Sequence, residues 1–241
     1  HRNELLLGPE GMKRLKAARV TVVGLGAVGS FAVEGLARAG VGHLRLVDFD
    51  EVRATNINRQ LYALHSTIGK SKADLARDRV LDIHPGCSVD TMRVFVDEHT
   101  VSQVLDDSPG VVVDAIDSLS PKVTLLRAAV RAGVPLIISC MGAARRTDPQ
   151  LIRVGDISET QKCPLARLIR KRLRQDGIVS GIRCIYSVEP PQGGAMEESA
   201  LREEEVVSRG RPRKPLGSLG CLTGMFGLYA AREAIMALTR A

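Results

Sequence analysis

The chain has 241 residues and a formal net charge of +7, and 44% of its residues are hydrophobic while only 3% are aromatic. This composition excludes a disordered chain and predicts a packed globular protein with an aliphatic core. Five widely spaced cysteines without a CxxC pair or a signal peptide argue against a disulfide framework and a zinc ribbon, and favour a cytoplasmic protein. No apolar run reaches transmembrane length, so we expect no membrane partner, and the basic charge suits nucleic acid.

The N-terminal residues look like an arm that carries Arg2 and leads into a short helix at 9–17. The next segment, 19–60, contains the most informative pattern. An apolar run at 20–23 enters a glycine-rich turn, Gly24-Leu25-Gly26-Ala27-Val28-Gly29. A helix then extends to about residue 39, and a second apolar run at 44–47 ends in Asp48-Phe49-Asp50.

This order of strand, glycine turn, helix, strand and acid predicts a nucleotide site. The glycines let the backbone approach a phosphate, which the N-terminus of the following helix attracts. Asp48 stands about 20 residues further on, where a carboxylate accepts ribose hydroxyls. The pattern alone does not distinguish ATP from NAD.

A dense polar group at 55–60 follows, and then a helix that ends near residue 83. Lys72 falls near the N-terminus of this helix, where the dipole disfavours a cation. Either a compensating anion lies nearby or the lysine is solvated.

Strands are predicted at 88–96, 111–113 and 136–139, and helices at 100–105 and 121–132. Asp117 comes just after the fourth strand, where ligands bind in parallel sheets. It could hold Mg²⁺ or a ribose. Alternatively it caps the next helix, a role that Ser118 or Ser120 could also fill.

The pattern changes near residue 142, with strands predicted at 151–154 and 183–188, a strongly basic helix at 164–175, a polar crossing segment at 189–215 and a closing helix at 218–238. Cys163 precedes the basic helix and reads as a cap more readily than as a reactive thiol, whereas Cys140, Cys184 and Cys221 read as core. The basic helix, together with Arg209, Arg211, Arg213 and Lys214, either holds RNA phosphates or forms a solvated face.

We therefore predict one α/β domain spanning 1–241, with a Rossmann-like, doubly wound, mainly parallel sheet and helices on both faces. Residues 19–141 form its nucleotide-binding part. Residues 142–241 form a mixed C-terminal half that serves the substrate and dimerisation.

The motifs GLGAVG, DFDEVRATNINRQ, IGKSK and DAIDS, in this order, resemble the E1-like (ThiF/MoeB/HesA) adenylating family, most strongly over residues 1–140. Within it, the RNELLLG start, the CPLAR segment and the lack of CxxC pairs are similar to the tRNA threonylcarbamoyladenosine dehydratases. That resemblance implies ATP-dependent dehydration, by cyclisation, of N6-threonylcarbamoyladenosine at position 37 of tRNA, through adenylation of the threonyl carboxylate.

The resemblance also implies roles for particular residues. The catalytic set would be Arg2, Arg59, Lys72 and Asp117, with Asp117 binding Mg²⁺ and Arg2 supplied by the second subunit of a homodimer. The ATP-binding set would be Gly24, Gly26, Ala27, Gly29, Asp48, Asp50, Asn56, Asn58, Arg59, Gln60, Lys72, Asp117 and Ser118.

Other readings stay open. The protein could adenylate the C-terminus of a ubiquitin-like or sulfur-carrier protein, and a cysteine desulfurase or a sulfur acceptor could be a partner. An NAD-dependent oxidoreductase fits less well, because such an enzyme needs neither the NINRQ motif nor Lys72. A non-catalytic nucleotide-binding scaffold would not need these charged positions.

Overall fold

A computed structural model describes residues 1–192 and 216–240 of the chain. One sheet contains seven strands: β1 (Arg19–Val23), β2 (His43–Val47), β3 (Ser88–Met92), β4 (Val111–Asp114), β5 (Leu136–Cys140), β6 (Ile152–Asp156) and β7 (Arg183–Ser187). Their spatial order is β3-β2-β1-β4-β5-β7-β6. All neighbours pair in parallel except β6, which is antiparallel to β7. The predicted mainly parallel sheet with a mixed C-terminal extension is confirmed.

Helices cover both faces of the sheet: α1 (Arg2–Ala17), α2 (Gly29–Ala39), α3 (Lys72–Ile83), α4 (Val101–Val104), α5 (Leu119–Arg131), α6 (Pro164–Arg174) and α7 (Gly220–Arg240). One aliphatic core joins the sheet to α1, α2, α3 and α7, and a second joins it to α4, α5 and α6. Within the described ranges, no helix combines the length and the apolar character that crossing a membrane requires.

The strand order reverses between β1 and β4, because the chain winds outward from β1 in both directions. At such a point the loops that follow the two neighbouring strands diverge and leave a crevice at the carboxyl edge of the sheet. The glycine turn after β1 and the Asp117 loop after β4 are these two loops. The fold therefore places the nucleotide motif of the sequence at the usual ligand position.

The N-terminus differs from its prediction as an arm. Helix α1 already begins at Arg2, and it is broken at Gly8, whose φ of 74° and ψ of 164° are not helical. Glu4 in the first turn interacts favourably with the helix dipole. Leu5 and Leu6 on this helix are 74% and 83% exposed.

Cys140 and Cys184 are buried as predicted, but the prediction for Cys221 was wrong, because this residue is exposed. Cys221 begins an outward row on α7 that continues with Met225, Leu228 and Tyr229. The buried side of α7, with Gly224, Gly227 and Ala231, packs on α2, and of the row Leu228 also reaches α2 at Gly35. The predicted crossing segment from residue 193 onward, with its four basic residues Arg209, Arg211, Arg213 and Lys214, lies outside the described residues.

Candidate functional site

The glycine turn is built so tightly that two of its glycines cannot carry a side chain. Gly24 has a φ of +88°, and a Cβ there would lie 2.9 Å from the carbonyl carbon of Ala115. A Cβ on Gly29 would overlap the carbonyl oxygen of Gly24. The turn thus brings α2 directly onto the crevice, with Gly26 and Ala27 partly exposed between them. The N-terminus of a helix in this position attracts an anion through its dipole and its backbone N–H groups.

Asp48, the first residue after β2, braces the turn. Its Oδ2 accepts the N–H of Leu25 at 2.7 Å, and its Oδ1 accepts the N–H of Asp50 at 2.9 Å. Burial raises the pKa of Asp48, while the positive charge of Lys72 and the two backbone donors act in the opposite direction. Each oxygen keeps a lone pair that a ribose hydroxyl can use.

Lys72 begins α3 and is only 5% exposed. Its Nζ lies 3.1 Å from the Oδ2 of Asp50, so Asp50 is the compensating anion that the dipole argument asked for. The Ser71 side chain caps the helix by accepting the N–H of Asp74. The lysine is therefore held at the carboxyl edge of the sheet, beside Asp48 and Asp50.

The polar loop after β2 is ordered by its own side chains. Asn56 is buried and accepts the N–H of Arg53 at 3.1 Å. Arg59 donates to the carbonyl of Thr55 and to Oδ1 of Asn58, both at 2.8 Å. Asn58 also donates to the carbonyl of Ser218 at 3.2 Å, which ties the loop to the approach of α7.

Gln60 ends this loop and faces the glycine turn. A Cβ on Gly26 would lie 3.5 Å from the Nε2 of Gln60, so the amide packs against the turn. Through this contact the loop carrying Arg59 and the turn carrying Gly26 form neighbouring walls of the crevice.

Asp117 lies on the loop between β4 and α5 and is exposed. Its Oδ1 accepts the hydroxyl of Ser118 at 3.2 Å. Ser118, not Asp117, occupies the N-cap position of α5, so the capping role considered for Asp117 is wrong. The exposed carboxylate of Asp117 thus lies at the carboxyl edge of the sheet, one residue before this N-cap.

A buried ion pair beneath this loop was missed by sequence reasoning. Lys122 and Asp114 are both 0% exposed, and Nζ lies 2.7 Å from Oδ2. Lys122 also donates to the carbonyl of Ile116 at 2.9 Å, and Ser139 donates to Oδ2 of Asp114 at 2.6 Å. The pair therefore holds the backbone that leads from β4 to Asp117. A lysine among apolar neighbours on the buried face of α5 was the available signal.

An aromatic pair was also missed. The rings of Phe49 and Phe95 meet edge to face with centroids 5.1 Å apart. Phe49 directly follows Asp48. Although the chain has only four phenylalanines, this one is 37% exposed and not part of the buried core. The pair offers an apolar surface for a base next to the ribose position.

Two predicted residues lie apart from this crevice. Arg2 is exposed, and its neighbour Asn3 donates to the carbonyl of Arg38 at 2.8 Å, at the end of α2 remote from Gly29. Cys163 is buried at the N-cap of α6, where its Sγ accepts the N–H of Ala166 at 3.5 Å. The remaining predicted residues all lie in the glycine turn, at the end of β2, in the following loop, at the start of α3 or on the Asp117 loop.

The sequence pattern of the ThiF family matches residues 1–241. The chain belongs to the ThiF family. Among relatives of this ThiF-family chain, the tRNA threonylcarbamoyladenosine dehydratase of Bacillus subtilis (strain 168) is 46% identical over 242 residues, covering 99% of the chain and 94% of the relative. The enzyme of the same name from Escherichia coli (strain K12) is 35% identical over 240 residues, covering 95% of this chain and 89% of the relative.

Solved structures agree with the sequence comparison. The E. coli tRNA N6-threonylcarbamoyladenosine dehydratase TcdA in complex with AMP superposes on this ThiF-family chain with a TM-score of 0.87 at 32% identity, covering 98% of the chain and 92% of TcdA. Its complex with ATP gives a TM-score of 0.86 over the same shares. The match spans both halves of the fold, including the mixed C-terminal extension.

Proposed function

We propose that this ThiF-family protein is an ATP-dependent tRNA threonylcarbamoyladenosine dehydratase. The observation that carries the proposal is a crevice in which Asp48, Asp50 and Lys72 adjoin a glycine turn, in a chain 46% identical to a dehydratase over 94% of that relative's length. Residues 19–141 then bind the nucleotide, and residues 142–241 serve the tRNA and the dimer. A cytoplasmic location follows from this substrate, and the sulfur-transfer partners stay predictions.

The reaction begins when an oxygen of the threonyl carboxylate attacks the α-phosphorus of ATP. The bond to the β-phosphate breaks, pyrophosphate leaves, and an acyl-adenylate forms. A nitrogen or oxygen of the same side chain then attacks the activated carbonyl, releases its proton to solvent and closes a ring, and AMP leaves with the former carboxylate oxygen. The second step is intramolecular, so its high effective molarity makes an enzyme nucleophile unnecessary.

The chain's own groups supply the electrostatics. The N-terminus of α2 and the glycine turn bind phosphate, and Asp48 accepts the ribose hydroxyls. Lys72 and Arg59 face the charge that develops on the phosphoryl oxygens. Lys72 is already held in place by Asp50, and Arg59 by Thr55 and Asn58, so little reorganisation is required on binding.

Removing one of these cations tests the assignment. Lys72→Ala or Arg59→Ala should lower the rate of pyrophosphate exchange by about 10²-fold or more. Lys70→Ala is the matched control, since Lys70 is exposed and lies two residues from Lys72. Equal rates for Lys72→Ala and Lys70→Ala would remove Lys72 from the catalytic set.

Asp117 is the proposed Mg²⁺ ligand. Residues 1–192 and 216–240 hold no cluster of three or more His, Cys, Asp or Glu side chains. The exposed Asp117 carboxylate nevertheless fits Mg²⁺, a hard cation that proteins commonly hold through one or two carboxylates and substrate phosphates. Bound Mg²⁺ would neutralise phosphate charge. Asp117→Asn should weaken ATP binding in the presence of Mg²⁺ but not in EDTA, measured by calorimetry.

We further propose a homodimer in which the partner's Arg2 completes each crevice. Exposed apolar side chains support a dimer, with Leu5 and Leu6 on α1 and Met225, Leu228 and Tyr229 on α7. A row of this kind marks an interaction surface. In one chain Arg2 is remote from Gly29, so a second subunit is required to supply it.

Co-expressed Arg2→Ala and Lys72→Ala chains test this arrangement. Each variant alone should be inactive, but a mixed dimer contains one crevice with both groups, so the mixture should regain roughly a quarter of wild-type activity. A mixture no more active than the two variants alone would show that Arg2 does not act across a dimer.

The substrate is tested in cells. Mass spectrometry of tRNA nucleosides from cells lacking this protein should reveal the loss of a species one water lighter than threonylcarbamoyladenosine. The carrier-protein alternative predicts intact tRNA nucleosides and pyrophosphate exchange that depends on a carrier protein instead of modified tRNA.

A further inference from the structure

Helix α6 presents a row of basic side chains opposite its packing face. Pro164 at its first position and the Cys163 cap start the helix, and Ala166, Ile169 and Leu173 bury its inner side. On the other side, spaced by one helical turn each, stand three exposed cations: Arg167, Lys171 and Arg174. This spacing of four and three residues aligns them along one face of the helix.

The three cations of this α6 row form no ion pair with a carboxylate at residues 1–192 or 216–240. Other exposed arginines pair with carboxylates, as Arg19 does with Asp107 and Arg131 with Asp176. Within the described part of the chain, no carboxylate competes with an external anion for this row.

Helix stability explains only part of the α6 row. Cations near a helix C-terminus interact favourably with the dipole, which accounts for Lys171 and Arg174 in the last turn. Arg167 is the fourth residue of α6, where a cation opposes the dipole, and the first turn contains no acidic residue. Helix stability therefore does not explain the placement of Arg167.

The α6 row also lies next to the catalytic crevice. Helix α6 starts at the carboxyl edge of the sheet. Its N-cap residue Cys163 lies against Gly142, which is two residues beyond the end of β5, since a Cβ on Gly142 would be 3.7 Å from Sγ of Cys163. Arg172 donates to Oγ of Ser120 at 3.0 Å, in the first turn of α5 and three residues beyond Asp117. A polyanion on the row is thus beside the Asp117 loop.

We propose that the α6 row, Arg167, Lys171 and Arg174, docks the tRNA by its backbone phosphates and so delivers the modified nucleoside to the crevice. This inference rests on the proposed dehydratase function. A polyanionic backbone is the complementary partner of a basic row. Only 3% of the residues are aromatic, so few side chains can stack on tRNA bases, and contacts to the tRNA backbone dominate recognition.

The test compares the wild type with a variant carrying Arg167→Gln, Lys171→Gln and Arg174→Gln, using tRNA that bears threonylcarbamoyladenosine. The slope of log affinity against log salt should fall by about 2 to 3, since each lost phosphate contact contributes about 0.7 to 0.9. The KM for tRNA should rise about tenfold or more, with kcat at saturating tRNA and the KM for ATP unchanged.

A matched control removes the same charge elsewhere, with Lys13→Gln, Lys16→Gln and Arg153→Gln at exposed positions on α1 and β6. It should keep the wild-type salt slope. An unchanged salt slope in the α6 variant, or an equal decrease of the slope in the control variant, would overturn the proposal that the α6 row docks the tRNA. If the wild type itself fails to convert this tRNA, the proposed function fails instead.

Discussion

Replacing Lys122 by methionine should lower the free energy of unfolding by about 3–5 kcal/mol, the cost of breaking a buried ion pair from one side. The structure gives the reason. Both Lys122 and Asp114 are 0% exposed, and only 2.7 Å separate Nζ from Oδ2. Without the ammonium group, the donors to the buried Asp114 carboxylate among the described residues are the hydroxyl of Ser139 and the N–H of Ile116.

The measurement is urea unfolding at neutral pH, followed by circular dichroism, with m-values compared between variants. A second variant, Lys122→Met with Asp114→Asn, removes both charges and should recover most of the loss, because burying a neutral pair is far less costly. Lys70→Met serves as the surface control, since Lys70 is exposed.

Two results would refute this account of the pair. One is a loss below about 1 kcal/mol in the single variant, which is the range of surface ion pairs. The other is a double variant no more stable than Lys122→Met alone. Since natural domains have only about 5–15 kcal/mol of stability, the expected loss is large enough to measure without ambiguity.

Three further predictions concern other parts of the fold. Burial raises the pKa of Glu189, but the N–H donors of the 147–148 segment lower it more, so the pKa lies below the usual 4.5. The ionised carboxylate therefore stabilises the fold above pH 4.5, and this stabilisation is lost as the pH falls through the lowered pKa. Urea unfolding between pH 7 and 3 should therefore show a smaller acid loss for Glu189→Gln than for the wild type, and parallel curves would contradict this. Cys163→Ser should keep full activity and have equal or greater thermal stability, because a hydroxyl caps a helix better than a thiol. Loss of activity in a folded Cys163→Ser variant would instead mean that the thiol is catalytic. Gly227→Ala should cost about 1–3 kcal/mol because its Cβ would overlap the carbonyl of Val28, whereas Gly217→Ala, in open space, should be neutral by the same urea assay.

Much of the fold was predictable because its strands are short and aliphatic, and several end at or directly before a glycine or an acidic residue. The third strand was predicted too long, at 88–96, and ends at Met92. Residues 94–96, Val-Phe-Val, are strand formers, but they lie beyond the end of the strand and place Phe95 against Phe49. Local pattern records what a segment can form, not where the sheet ends.

The site was predictable where its chemistry lies in one contiguous motif. Contacts between distant segments were not, because a single sequence does not record which of several neighbours a side chain meets. Lys122 gave no local sign of reaching back to Asp114. Cys221 illustrates the same limit on α7, where apolar residues occur on every side and composition alone cannot choose the packed one.

The edge-to-face contact of Phe49 and Phe95 offers a spectroscopic opportunity. The chain contains no tryptophan, so an indole placed at position 49 would be the only such fluorophore in the molecule. Its emission would start from a half-exposed environment beside Asp48 and shift as solvent leaves the ring. Because the emission of this indole can be excited apart from that of the three tyrosines, Phe49→Trp would report directly when the crevice fills and empties.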